Sequence, residues 1–163
     1  MKAAIYQGKQ RIVVEDIPTP EPGPNEVLVK IDCSAICGTD VHAFLYDIAP
    51  PGSVLGHEFS GHVVAVGQNV TKWKDGDRII CGGGTPPPGM EAPLRRQSQY
   101  NYRLEGFSNS RNRGYAEYTL LKDWEPSEVP DNVDQLQASL TEPCSVVVRA
   151  VRSSNQKLGD TVS

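Results

Sequence analysis

Glycine and proline interrupt this 163-residue chain at short intervals along its whole length, 15 of the one and 13 of the other. Glycine opens turn conformations closed to other residues, and proline fixes φ and removes a backbone donor. A chain punctuated in this way folds as many short strands joined by tight turns. Lys2 to Tyr6 and Arg11 to Asp16 read as strands around a turn at Gly8, and Pro18 to Pro24 as an extended connector. Glu26 to Asp32 alternates, with Val27, Val29 and Ile31 on one face of a half-buried strand. Phe59 to Val66 predicts another strand, closed by Gly67; Asp75-Gly76-Asp77 forms a hairpin-type turn into Arg78-Ile79-Ile80; Tyr115 to Leu121 follows. Helices are expected over Cys37 to Tyr46 and Thr141 to Ser154, the second with Thr141 as N-cap and Pro143 in its first turn. Lys157 to Asp160 makes a turn, and Thr161 to Ser163 begins a strand. The irregular stretch from Gly82 to Arg113 is too long for an ordinary connection and reads as a lobe or flap. The coarse picture is mostly β: a barrel-like body with short helices and a helix at its end.

The length suits one domain with a real core. A net charge of −4, with 16 basic residues scattered among 20 acidic ones, argues against a nucleic-acid or membrane surface. The opening Met1-Lys2-Ala3-Ala4-Ile5 turns polar by Gln7, so neither a signal peptide nor a bilayer span is read there, and the cytoplasm is the expected location. Cys33, Cys37, Cys81 and Cys144 are then better read as thiols or metal ligands than as disulfides.

The chemistry concentrates in two clusters. One is Cys37-Gly38-Thr39-Asp40-Val41-His42 and the other is Gly56-His57-Glu58. Thiolate and imidazole suit zinc, and three protein ligands with one open position form the catalytic kind of site. Spacing alone proves nothing, since a loop or strand must bring Cys37 to His57. Taken singly, each has a plain structural alternative, a buried thiol or a satisfied histidine. His62 lies within a strand pattern and reads as structural.

The full string decides between them. Gly56-His57-Glu58-x2-Gly61-x5-Gly67-x2-Val70 resembles the zinc-containing alcohol dehydrogenase pattern of the medium-chain dehydrogenase superfamily, and Cys37-Gly38-Thr39-Asp40-x-His42 resembles its first-ligand segment. Asp75-Gly76-Asp77-Arg78, Gly114-Tyr115-Ala116-Glu117-Tyr118 and Thr141-Glu142-Pro143-x-Ser145-Val146 follow in family order. The glycines are expected to allow tight turns and close backbone approach around a fixed metal. The resemblance implies a GroES-like barrel over residues 1–155, ending in the helix that leads to an absent Rossmann domain whose start would be 156–163. It implies one catalytic zinc held by Cys37 and His57, with Glu58 and Glu142 as further candidate ligands. Asp40 would stand behind the ligands and orient His57. The catalytic pair would be Thr39, accepting a hydrogen bond from the substrate hydroxyl, and His42, the end of a relay through the cofactor ribose to solvent. Alternatives stay open at three of these residues: Glu142 can complement the helix dipole, Thr39 can cap the short helix, and His42 can sit on its surface.

The function so implied is a zinc-dependent oxidoreductase that transfers a hydride between a secondary alcohol or polyol and NAD or NADP. The nucleotide would be bound by the missing domain, because no G-x-G-x-x-G occurs here. The fragment alone is expected to be inactive, and the whole protein to be a homodimer or homotetramer. Many relatives carry a second zinc on four closely spaced cysteines; here that region retains only Cys81, with Tyr102 where a cysteine would fall, so no structural zinc is expected. Cys144 is a weaker candidate ligand beside Glu142, and Arg95, Arg96, Arg103, Arg111 and Arg113 read as solvated surface. A zinc-free quinone reductase is disfavoured by the joint presence of Cys37, His57 and Glu58. The rival from another class is a GroES-like binding module with a vestigial metal site.

Overall fold

The computed structural model describes residues 1–82, 114–154, 156–157 and 159–161. The lobe expected to lack a structural zinc, with its arginines and Tyr102, and the strand expected at Val162 and Ser163 lie outside the described residues. Eight strands and three helices make up the rest. They are β1 (Lys2–Gly8), β2 (Arg11–Asp16), β3 (Glu26–Ala35), α1 (Gly38–Leu45), β4 (Ser53–Val54), β5 (Glu58–Val66), β6 (Arg78–Gly82), β7 (Tyr118–Lys122), β8 (Ser127–Glu128), α2 (Gln135–Ser139) and α3 (Thr141–Ser153). None of these helices is long and apolar enough to cross a membrane.

Two antiparallel sheets result, one in the order β2-β1-β4 and one in the order β7-β3-β5-β6-β8. The segment 115–122 joins them. Its first residues run beside β1, where Ala4 N–H donates to Tyr115 O at 2.8 Å and Glu117 N–H to Lys2 O at 3.0 Å; the remainder, β7, pairs with β3. One stretch of backbone therefore satisfies donors in both sheets, which gives the body its barrel-like closure.

The main core is Val27, Val29, Phe59, Val63, Trp73, Ile79 and Leu121, packed between the strands of the larger sheet and the loops that cover it. Alternation in β3 holds for Val27 and Val29, but Leu28 is buried as well. Leu28 departs from the alternation beside a bulge between Leu28 and Val29, while Lys30, Asp32 and Ser34 keep the other face exposed as expected. A second apolar cluster, Tyr6, Ala43, Ala49 and Leu55 with Phe44 and Tyr115 against it, seats α1 on β1. Trp73 places its ring in the main core and donates its indole N–H to Asp123 O at 2.7 Å, so its polar edge is satisfied.

The end of the chain differs from the sequence reading. Thr141 is not an N-cap but the first residue of α3, and Leu140 stands before it without a side-chain cap. The reason is α2, which the sequence reading did not contain. Leu140 closes α2 and opens α3 with φ −86° and ψ 2°, so the chain passes from helix to helix with no extended residue in which a threonine cap would sit. Asp75-Gly76-Asp77 is a tight turn, with Gly76 at φ +86°, but it lies inside a longer connection from β5 to β6 rather than forming a two-residue hairpin.

The glycines do less around the site than expected and more between strands. A Cβ on Gly61 would lie 2.2 Å from the carbonyl oxygen of Lys30, and one on Gly67 would lie 2.0 Å from that of Gly23. Both are backbone atoms that cannot step aside. Gly61→Ala is therefore expected to cost about 1–3 kcal/mol through overpacking, read as a lower urea midpoint at unchanged slope. Gly38→Ala, where nothing lies within 4 Å of the added methyl, should leave that midpoint nearly unmoved.

Candidate metal centre

The site is built at the entrance of α1. Cys37 is the N-cap, in extended conformation, and its sulfur accepts the Thr39 N–H at 3.4 Å. The Asp40 carboxylate reaches back to the Cys37 N–H at 3.1 Å, completing a capping box with a thiol in the place usually held by a hydroxyl. Thr39 is thus the capped residue and not the cap. The local sequence forces this arrangement: Gly38 leaves the first turn free of a side chain, and Asp40 stands at the third helical position, where a carboxylate closes the box.

The second contribution comes from the turn before β5. Gly56 has φ +92° and presses on the ring of Tyr115, where a Cβ would come within 2.7 Å of Cδ1. Here the expectation of a glycine at a close approach beside the site holds. Backbone bonds from Gly114 N–H to Gly56 O and from Tyr115 N–H to Leu55 O, both 3.0 Å, fix the turn against the joining segment. His57 and Glu58 follow at once and point toward Cys37.

One ligand atom from each of Cys37, His57 and Glu58 lies within 4.8 Å of the others, a group that could hold a metal ion. Glu58 is buried, at 6% exposure, although a carboxylate is rarely fully buried without a partner. Glu142 approaches the same place from the first turn of α3, half-buried and near enough for the charges of His57 and Glu58 to act on its carboxyl. Burial raises the Glu142 pKa, His57 opposes the rise, and Glu58 adds to it.

Asp40 organises the ring around this group. Beyond the Cys37 N–H, it accepts the Gly56 N–H at 3.2 Å and the Tyr115 hydroxyl at 2.9 Å, and its Oδ1 stands 3.6 Å from His57 Nδ1. It is 4% exposed. Burial pushes its pKa up, but His57, the Tyr115 hydroxyl and the Gly56 N–H together hold it below the ordinary carboxylate value. His57 moves the other way. The Asp40 carboxylate raises it, against the cost of burial, with Glu142 and Glu58 adding to the rise. The Cys37 thiol is pushed up chiefly by burial, which the Thr39 contacts only partly offset.

The structure thus brings Cys37, Thr39, Asp40, His57, Glu58 and Glu142 to one place. His42 does not join them: it lies exposed on α1, its ring 5.7 Å from that of Tyr46. Cys144 is exposed and outside the metal-holding group, Cys33 is half-buried, and His62 pairs with Asp32 at 3.0 Å. Tyr115 was missed as a site residue. Its motif was visible in the sequence, but only the contact between its hydroxyl and Asp40 gives it a role, and that contact spans 75 positions.

The alcohol dehydrogenase GroES-like domain matches residues 23–131, which include Cys37, Asp40, His57, Glu58 and Tyr115. The chain belongs to that family. It is 33% identical to the D-arabitol-phosphate dehydrogenase of Enterococcus avium over 95% of its own length and 45% of that protein's. Against the (R,R)-butanediol dehydrogenase of Bacillus subtilis the identity is 32%, over 98% and 49%. Among solved structures, a chain from Sinorhizobium meliloti 1021 described as a zinc-binding dehydrogenase, bound to NADP, superposes with a TM-score of 0.77 at 32% identity, covering 98% of this chain and 47% of that one. The chain spans about half the length of the curated relatives it matches. This family membership bears out the expected mostly-β GroES-like fold.

The pKa shifts set a pH window for the metal-free domain. His57, raised above its ordinary 6.5, contributes stability that is complete below that value and lost as pH rises through the higher folded one. Asp40, lowered from 3.8, contributes stability present above that value and lost as pH falls through the lower folded one. The pair predicts greatest stability between those two ordinary values. In urea midpoints measured against pH without metal, His57→Gln should flatten the alkaline decline and also shrink the acid limb, because His57 is the chief partner holding the Asp40 carboxyl below its ordinary value.

Proposed function

We propose that the chain is the catalytic domain of a zinc-dependent dehydrogenase that transfers a hydride between a secondary alcohol or polyol and a nicotinamide cofactor. The observation that carries this reading is the convergence of Cys37, His57 and Glu58 within 4.8 Å. Thiolate, imidazole and carboxylate are a zinc donor set, and three such ligands leave the fourth position for substrate. A zinc ion there would supply Lewis acidity, polarising the substrate hydroxyl and lowering its pKa.

The chain's own residues do the rest. Cys37, His57 and Glu58 would hold the ion, and Glu142 would be the second carboxylate available to it. Asp40 orients the imidazole, and Tyr115 in turn fixes Asp40. The Thr39 hydroxyl accepts a hydrogen bond from the substrate hydroxyl and hands its own proton on as that one arrives, through the ribose of the bound cofactor to His42, exposed on the same helix, and so to solvent. In this reading residues 1–155 form the catalytic domain and 156–163 begin a nucleotide-binding domain that holds NAD or NADP. The protein carries one zinc per chain and no structural zinc, works in the cytoplasm, and assembles as a homodimer or homotetramer. Relatives named for arabitol phosphate, butanediol and threonine support a polyol or secondary-alcohol substrate over ethanol.

Zinc content measured on the purified protein should be one ion per chain, and lost in Cys37→Ser and in His57→Ala. Equal metal in all three proteins would overturn the ligand assignment. Asp40→Asn should weaken zinc affinity about 10- to 100-fold. Because the metal-free thiol and imidazole both hold their protons more tightly than usual, affinity should fall as pH falls, and calorimetry in buffers of different ionisation enthalpy should register proton release on binding. The full-length protein assayed with secondary alcohols, polyols and threonine should reduce NAD or NADP with at least one of them. Failure with all substrates and both cofactors, in zinc-loaded protein, would remove the dehydrogenase reading.

A further inference from the structure

Glu142 stands in the first turn of α3, where it and Pro143 are half-buried. Among the described residues α3 lies against β5, β6 and α2. Of these neighbours α2 is joined to it directly, and α2 is itself tied to the strand that carries Glu58.

Gln135, the first residue of α2, is tied twice to β5. Its carbonyl oxygen accepts the hydroxyl of Ser60, a side chain with 0% exposure, at 2.5 Å, and its own Nε2 donates to Gly61 O at 2.9 Å. Those partners are two and three residues beyond Glu58 on the same strand. From Gln135 the chain runs through a short helix stiffened by the reciprocal Asp134–Gln137 cap, at 2.7 and 3.2 Å, and then through the single hinge residue Leu140 into α3. Two residues later comes Glu142, on a helix that lies against β5, with its carboxyl near enough for the charges of Glu58 and His57 to act on it. Both ends of this path rest on β5, so the strand that carries one carboxylate also holds the strut that delivers the other.

Gln135 also has a feature that stability alone does not account for. Gly61 O requires a donor opposite it, which fixes the orientation of the amide and leaves Oε1 buried with no hydrogen-bond partner among the described residues. A buried carbonyl in that condition is a cost. An apolar side chain of similar length would fill the same space without it.

We propose that Gln135, clamped to Ser60 and Gly61, is a positioning residue that sets the distance of Glu142 from the metal-holding group. Its effect on metal binding is exerted through Glu142. This rests on the zinc reading above, and a double-mutant cycle on zinc affinity tests it separately from that reading.

Zinc affinity is measured by chelator competition in the full-length protein, with folding checked by thermal denaturation. Glu142→Gln should weaken zinc binding, and Gln135→Met should weaken it about tenfold, in the range seen when residues behind metal ligands are changed. Combined with Glu142→Gln, Gln135→Met should cause no additional loss, although its effect on the melting temperature persists. Ser60→Ala, a smaller change to the same clamp, should shift zinc affinity in the same direction and serves if Gln135→Met does not fold. In cobalt-substituted protein, Gln135→Met and Glu142→Gln should alter the visible absorption spectrum alike. A tenfold loss that survives in the Glu142→Gln background, or unchanged zinc affinity in folded Gln135→Met, overturns the proposal. Retention of zinc by Cys37→Ser and His57→Ala instead removes the metal reading beneath it.

Discussion

The buried carboxylate of Asp40 gathers three parts of the chain that have no local reason to meet: the start of α1 at Cys37, the turn at Gly56 and His57, and Tyr115 on the segment that joins the two sheets. A charge at 4% exposure is tolerated only where partners replace the water it has lost. Here two backbone donors, one phenol and one imidazole do so. The arrangement is demanding in both directions: the partners hold the charge, and the charge leaves each of them little freedom to move. The thiol, the imidazole and the carboxylate of Glu58 inherit their positions from that constraint.

The surrounding fold makes the constraint affordable. Tyr115 belongs to a stretch of backbone that bonds to β1, to the Leu55–Gly56 turn and, further along, to β3. Its ring lies against the second apolar cluster, while its hydroxyl reaches Asp40. The joint that closes the barrel-like body is thus also the joint that completes the site. α3 is the contrast. It carries Glu142 toward the same place with none of its residues buried among the described ones, and it follows directly on α2, which two hydrogen bonds tie to β5.

Much of the fold was legible because β-strands announce themselves by short apolar runs between glycines and prolines. β1, β2, β3, β5 and β6 stand close to where the sequence reading put them. What it lacked were elements too short to carry a period: β4 and β8, with two residues each, and α2, with five. Missing α2 had a consequence, because the helix-to-helix junction at Leu140 removed the extended position in which Thr141 would have capped. The buried Leu28 was missed because alternation assumes an unbroken register, and only strand pairing shows the irregularity between Leu28 and Val29.

The sequence by itself determined the local chemistry: a cysteine at a helix entrance with an aspartate three residues on, a glycine followed by histidine and glutamate, and a Glu-Pro pair opening a helix. Those features depend on φ preferences, capping and residue type, all of which act within a few positions. Tertiary structure decided which of them share a site. It brought Cys37, His57 and Glu58 together with Glu142 close by, left His42 on the surface, joined Tyr115 to Asp40 and tied Gln135 to the strand that carries Glu58. Contacts such as Tyr115 with Asp40 or Gln135 with Gly61 join positions more than seventy residues apart. They leave no periodic mark on the chain, because strand pairing and sheet closure, not neighbouring residues, create them.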